Sequence, residues 1–137
     1  MSRARLGILG AGLGILVFAS AVATFWPGLS GDFLNWDDSD NVVNNTGVHG
    51  LGRPQLAWMW SGIILGHYIP LTWMSFGLNY ALGGLNPWGY HLLNLLLHGA
   101  NAVLFFLIAR RLIALARPGG AEPAGSALSL GAAFSAL

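Results

Sequence analysis

The sequence predicts an all-α integral membrane protein: two complete transmembrane helices and the start of a third, with a long extracytoplasmic loop that contains short interfacial helices. Three observations carry that expectation. Hydrophobic residues make up 55% of the chain and charged residues only 8%, whereas soluble domains carry about a quarter charged residues. Two apolar runs are long enough to cross a bilayer. Five of the six arginines lie on the far sides of those runs, and all four aspartates lie between them, with Arg53. The chain has no cysteine, so disulfides and thiolate metal sites are excluded, and a net charge of +1 gives no reason to expect a nucleic-acid partner.

Residues 1–26 are read as a cytoplasmic N-terminus and the first span. Leu6 to Trp26 is an apolar run of about 21 residues, enough as a helix to cross the hydrocarbon core. Gly10 and Gly14 form a small-xxx-small pair that lets another helix approach closely. A cleaved signal peptide is the rival reading, because Arg3 and Arg5 precede the run and Ala19-Ser20-Ala21 resembles a cleavage site. The length of the run and the interfacial pair Phe25-Trp26 favour a retained anchor.

Residues 27–88 form an extracytoplasmic loop of about sixty residues, too long to be a mere connection. It holds five of the six tryptophans, Trp36, Trp58, Trp60, Trp73 and Trp88. Gln55 to Ile64 is expected as a short helix in the headgroup plane, and Pro70 to Leu82 as a second, with Leu71, Met74, Leu78 and Leu82 at helical spacing. Residues 89–116 are the second span. Asn86 suits its N-cap and Pro87 its first turn. Residues 117–126 make a cytoplasmic turn, and residues 127–137 read as the start of a truncated third span. Arg3 and Arg5 before the first span, and Arg110, Arg111 and Arg117 after the second, place those ends in the cytoplasm and the loop outside it.

The residues able to carry chemistry lie mostly in the loop. Asn35-Trp36-Asp37-Asp38-Ser39-Asp40 is an acidic knot in an almost uncharged chain. Asp37 and Asp38 are neighbours, so both face one site only in a turn. Paired carboxylates of that kind suit acid–base work or a divalent ion; a solvated acidic turn is the plain alternative. An EF-hand loop does not fit, since Val43 and His49 stand where glycine and glutamate are needed. His67-Tyr68-Ile69-Pro70-Leu71-Thr72-Trp73 could bind a sugar or a phosphate headgroup, or anchor in the interface. On the second span His91, Asn94, His98 and Asn101 share an arc of roughly 80°. That polar stripe is expected to face protein or a wet cavity, with His91, nearest the loop, the candidate for substrate binding.

Taken in order, Phe33-Leu34-Asn35-Trp36-Asp37-Asp38, His67-Tyr68-x-Pro70-Leu71-Thr72-Trp73, Gly84-Leu85-Asn86-Pro87-Trp88-Gly89-Tyr90-His91 and Asn94-Leu95-Leu96-Leu97-His98 resemble the start of a GT-C glycosyltransferase. The likeness is to the tetratricopeptide-repeat membrane proteins related to protein O-mannosyltransferases, and it covers about residues 5 to 116. The resemblance implies an integral-membrane enzyme, in a bacterium one of the plasma or inner membrane, that moves a sugar such as mannose. The donor would be a polyprenyl-phosphate-linked sugar, and the acceptor a hydroxyl on a protein or glycan at the extracytoplasmic face. It implies Asp37 as base and Asp38 as its partner, and these two would hold a divalent metal in the members that use one. His67, Tyr68 and His91 remain, from the residues themselves, the candidates to bind substrate. Two other readings compete: half of a transporter or channel whose second span lines a pathway, and a non-enzymatic anchoring or assembly subunit.

Overall fold

The computed structural model describes residues 3–116, 131–133 and 136, and the chain divides into two compact units, residues 1–27 with 94–137 and residues 28–93. Among the described residues the structure is helical and contains no strand; one isolated antiparallel bridge joins Ile64 and His67.

The first unit pairs α1 (Arg3–Phe25) with the greater part of α4 (Pro87–Leu115). At about 1.5 Å per residue both exceed the thickness of a bilayer core, and the two apolar segments Gly7–Ser30 and Pro87–Leu115 are long and apolar enough to cross one. Their seam is set by small residues. A methyl group added at Gly14 would meet the Phe106 ring at 3.8 Å, and one added at Gly99 would meet the Phe18 ring at 2.8 Å. The guanidinium of Arg110 lies against Gly10. Leu13, Val17 and Phe106 are buried there together with Ala132 and Ala133. In lipid such a pair is held by close van der Waals packing, which glycine permits.

The polar stripe of α4 lies beside the seam with α1. Leu95, Gly99 and Phe106 form the buried face, while Asn94, His98 and Asn101 are exposed on its flank. His98 touches Phe25 edge-on, with ring centroids 5.0 Å apart. The seam follows the glycines, where backbones approach most closely, and not the side chains with hydrogen-bonding capacity. Of the apolar run 127–137, residues 131–133 are helical and Ala136 donates its N–H to the Ala133 carbonyl at 3.1 Å; residues 127–130, 134, 135 and 137 of the expected third span, and the turn at 117–126, lie outside the described residues.

The second unit folds around a cluster of its own. A 3-10 helix (Trp26–Ser30) leads into it, followed by a π-helical turn (Ser39–Val43), a second 3-10 helix (Thr46–Val48), α2 (Arg53–Met59), α3 (Pro70–Gly83) and the first turns of α4. Val48, Met59 and Trp73 are fully buried, with Leu56, Trp58, Ile69 and Phe76 packed around them. Gly77 makes this possible, because a Cβ there would lie 2.5 Å from the Met59 methyl and 2.6 Å from the Gly50 carbonyl oxygen.

The helix expected at 55–64 is shorter and begins earlier. Pro54 stands in the first turn, where its missing N–H costs nothing. The helix ends because Ser61 and Gly62 both donate their backbone N–H groups to the Trp58 carbonyl, at 3.0 and 2.6 Å. A tight reversal follows. Ile64 and His67 exchange backbone hydrogen bonds of 3.2 and 2.8 Å, with Leu65 at φ 51° and Gly66 at φ 80° between them. Two consecutive positive φ values define a type I′ turn, and a leucine in that region is strained. At the start of α4, the Asn86 side chain accepts the Trp88 N–H at 3.1 Å and so caps the helix.

Candidate functional site

The acidic segment is built by local hydrogen bonds. Asn35 and Trp36 form a turn, and from Asp37 onward the backbone is helical. Asp38 turns back along the chain: its Oδ2 accepts the Leu34 N–H at 2.9 Å. Ser39 Oγ donates to Asn35 Oδ1 at 3.1 Å and Asn41 Nδ2 donates to the Asp37 carbonyl at 3.0 Å, closing the first turn. The Asn44 N–H reaches the Ser39 carbonyl at 2.9 Å, five residues back, which makes the following turn π-helical. Such turns are rare.

This geometry gives the two carboxylates that the sequence pairs different surroundings. Asp37 is exposed and its carboxylate makes no hydrogen bond or ion pair among the described residues, whereas Asp38 is half-buried with one oxygen committed to the backbone. They lie in a helical turn and not in an open one. Asp37 is thus available, while one oxygen of Asp38 serves the backbone. Among the described residues no group of three or more histidine, cysteine or acidic side chains is gathered, so an ion at Asp37 or Asp38 would need ligands from elsewhere.

His91 is brought to this segment. Its Nε2 lies 3.1 Å from the Gly31 carbonyl oxygen, sixty residues away in sequence, and a carbonyl accepts only from a protonated nitrogen, which fixes the tautomer. Tyr90 reinforces the junction. Its ring meets Phe33 at 5.2 Å and Phe76 at 6.0 Å, and its hydroxyl donates to the Gly84 carbonyl at 3.2 Å. The first turn of α4 thus grips the chain just before Asp37.

His67 and Tyr68 sit on the reversal after α2. His67 is exposed, and the Tyr68 hydroxyl donates to the Trp60 carbonyl at 3.1 Å while its ring meets Trp73 at 6.3 Å. Trp73 belongs to the buried cluster and Trp60 is exposed; neither Asp37 nor Asp38 is a partner of His67 or Tyr68.

Two residues that sequence reasoning passes over also shape the segment. Asn45 is buried and uses both ends of its amide: Oδ1 accepts the Gly47 N–H at 3.0 Å and Nδ2 donates to the Asn41 carbonyl at 3.2 Å. The Asn-x-Gly spacing of an Asx turn was the available signal. His49 places Nε2 3.0 Å from the Val42 carbonyl and stacks on Tyr80, with centroids 4.3 Å apart and planes 4° from parallel. No local pattern announces that contact.

The fold and this segment define a helical integral membrane protein whose two apolar helices are joined in sequence by a compact unit, which presents the exposed carboxylates of Asp37 and Asp40 on a braced turn. Its homologues are protein O-mannosyl-transferases. The chain is 38% identical over 108 residues to protein O-mannosyl-transferase TMTC2 of Mus musculus, covering 69% of this chain and 12% of that protein. It is 34% identical over 101 residues to TMTC4 of Homo sapiens, covering 66% of this chain and 13% of that protein. A shorter stretch of 48 residues is 50% identical to Tmtc1 of Drosophila melanogaster, 35% of this chain and 6% of that protein. The chain therefore spans about an eighth of the length of the TMTC2 and TMTC4 relatives it matches. No family model and no solved structure matches it.

Proposed function

We propose that this chain is the part of a GT-C membrane glycosyltransferase that holds the catalytic base, with the unit of residues 28–93 on the extracytoplasmic face. The observation that carries this reading is the free, exposed Asp37 carboxylate on a turn braced by the Asp38–Leu34 and His91–Gly31 contacts. The homologues' names supply the reaction class. In the proposed reaction the donor is a polyprenyl-phosphate sugar and the acceptor a serine or threonine hydroxyl. Asp37 takes the hydroxyl proton as that oxygen bonds to the anomeric carbon, and the bond from the anomeric carbon to the phosphate oxygen breaks, releasing polyprenyl phosphate. Where a divalent ion is used, Asp37 would be an exposed ligand for it, and the positive charge so held would offset part of the charge on the departing phosphate.

The test is transfer by the full-length protein in liposomes that contain polyprenyl-phosphate mannose, with a threonine-bearing peptide outside. Mannosyl peptide is expected; its absence with every polyprenyl-phosphate sugar supplied would overturn the reading.

His91 acts here as a positioning residue and not as a substrate ligand. His91→Leu loses the bond to Gly31, and a displacement of the turn by about 1 Å is enough to lower kcat by roughly a hundredfold. His91→Gln keeps a donor and is expected to restore much of the rate. Equal losses in both variants would remove the positioning role.

A further inference from the structure

One open hollow of the loop unit is used by nothing described so far. It encloses about 690 Å³ and lies beside the acidic segment, one helical turn beyond Asp37. Asp40, Asn44, Thr46 and Gln55 supply its polar side, and Pro54, Trp58, Ile63, Ile64 and Leu65 its apolar wall. Volumes of 300–1,000 Å³ are those of ligand sites.

The lining chemistry selects among ligands. It includes no basic residue, so nothing in it pairs with the phosphate of a lipid-linked donor. Sugar sites commonly offer an open aromatic face, but the Trp58 indole is covered. Gly47 lies directly on it, a Cβ at Gly62 would meet it at 2.8 Å, and it tilts onto Trp73 at 4.9 Å. The hollow does offer two carboxamides, a hydroxyl and a carboxylate opposite exposed aliphatic side chains, Ile63 at 68% and Leu65 at 54% of their full accessibility. Carboxamides match the donor and acceptor pattern of a peptide backbone, and the aliphatic lip matches side chains that alternate with it. Leu65 holds its place on that lip at a strained positive φ, and such strain gathers at ligand clamps.

We propose that this hollow seats the polypeptide acceptor. The chain would bind between Asn44, Thr46 and Gln55 on one side and Ile63 to Leu65 on the other. This rests on the transferase reading for the word acceptor, but the binding itself does not depend on transfer.

The experiment uses the full-length protein and the peptide Ac-Ala-Thr-Ala-Thr-Ala-Ala-NH2 carrying a diazirine, with crosslinks mapped by mass spectrometry and affinity measured by titration. Crosslinks are expected within 40–47 and 54–65. Asn44→Ala is expected to weaken peptide binding by about tenfold through lost hydrogen bonds, and Thr46→Phe, which fills the hollow, to abolish the crosslink. Asn44 is exposed, so its truncation leaves the fold intact if Thr46→Phe disturbs it. Asp37→Asn is expected to retain the crosslink; loss of transfer with the crosslink kept supports both readings, and transfer retained in that variant removes the base alone. Crosslinks elsewhere, or affinity unchanged in Asn44→Ala, would overturn the acceptor site. In phosphatidylcholine vesicles with a diazirine-tagged acyl chain, labelling of Ile63 and Leu65 unaffected by excess peptide would assign the lip to the bilayer and also overturn it.

Discussion

Asp37→Asn in the full-length protein is expected to remove most sugar transfer while expression and membrane insertion stay normal. General-base assistance is worth typically 10²- to 10⁴-fold, and the amide keeps the size of the carboxylate but cannot take the proton. Because the Asp37 side chain is exposed and holds no other group, its loss removes nothing from the fold. Asp38→Asn is a sharper control than composition alone would suggest. Its amide oxygen can still accept the Leu34 N–H that Asp38 holds at 2.9 Å, so a milder loss is expected there than in Asp38→Ala, which frees that donor. Asp32→Asn, outside the braced turn, is expected to be tolerated. Near-normal transfer by well-expressed Asp37→Asn would end the assignment of the base and favour an anchoring role.

Trp73→Ala is expected to be the most damaging single change to the loop unit, costing about 3–5 kcal/mol. Trp73 is fully buried, and both Trp58 and Tyr68 pack on its ring. Among the described residues its indole N–H has no hydrogen-bond partner, and an unpaired buried donor is costly. Trp73→Phe removes that N–H together with some volume, so it is expected to lie much closer to the parent protein. Thermolysin digestion of the full-length protein in detergent measures the difference, as faster cleavage within 28–93 for the alanine variant than for phenylalanine. Equal resistance in both would show that the Val48–Met59–Trp73 cluster does not hold the unit together.

How far the sequence could be read depended on the range of the interaction. The two apolar helices were legible because span length and composition are properties of a continuous run, and the cap at Asn86 because a cap is decided within three residues. Gly10 and Gly14 marked the seam correctly, since close approach needs small residues whatever the partner is. The lipid-depth stripe Asn94, His98 and Asn101 was assigned from polarity, but Phe18 and Phe106 settle on Gly99 and Gly14, and this turns the stripe to the flank. The acidic pair was visible as a motif, yet its division into a free Asp37 and a committed Asp38 was not. That division depends on which oxygen reaches the Leu34 N–H, a matter of backbone conformation. His91 on Gly31 and His49 on Tyr80 join residues sixty and thirty-one positions apart, and no local pattern encodes such pairs. The short α2 reflects the same limit, because its end is set by the turn at Ser61 and Gly62 and not by the periodicity before it.

Every chemical role proposed for Asp37 requires that the loop unit face away from the cytoplasm, as the arginines outside the two spans imply. Fusing a reporter that is active only outside the cytoplasm answers this directly. A fusion at Gly50 is expected to be active and one at Gly120 silent. Activity at Gly120 with silence at Gly50 would put Asp37 on the cytoplasmic side and contradict the account.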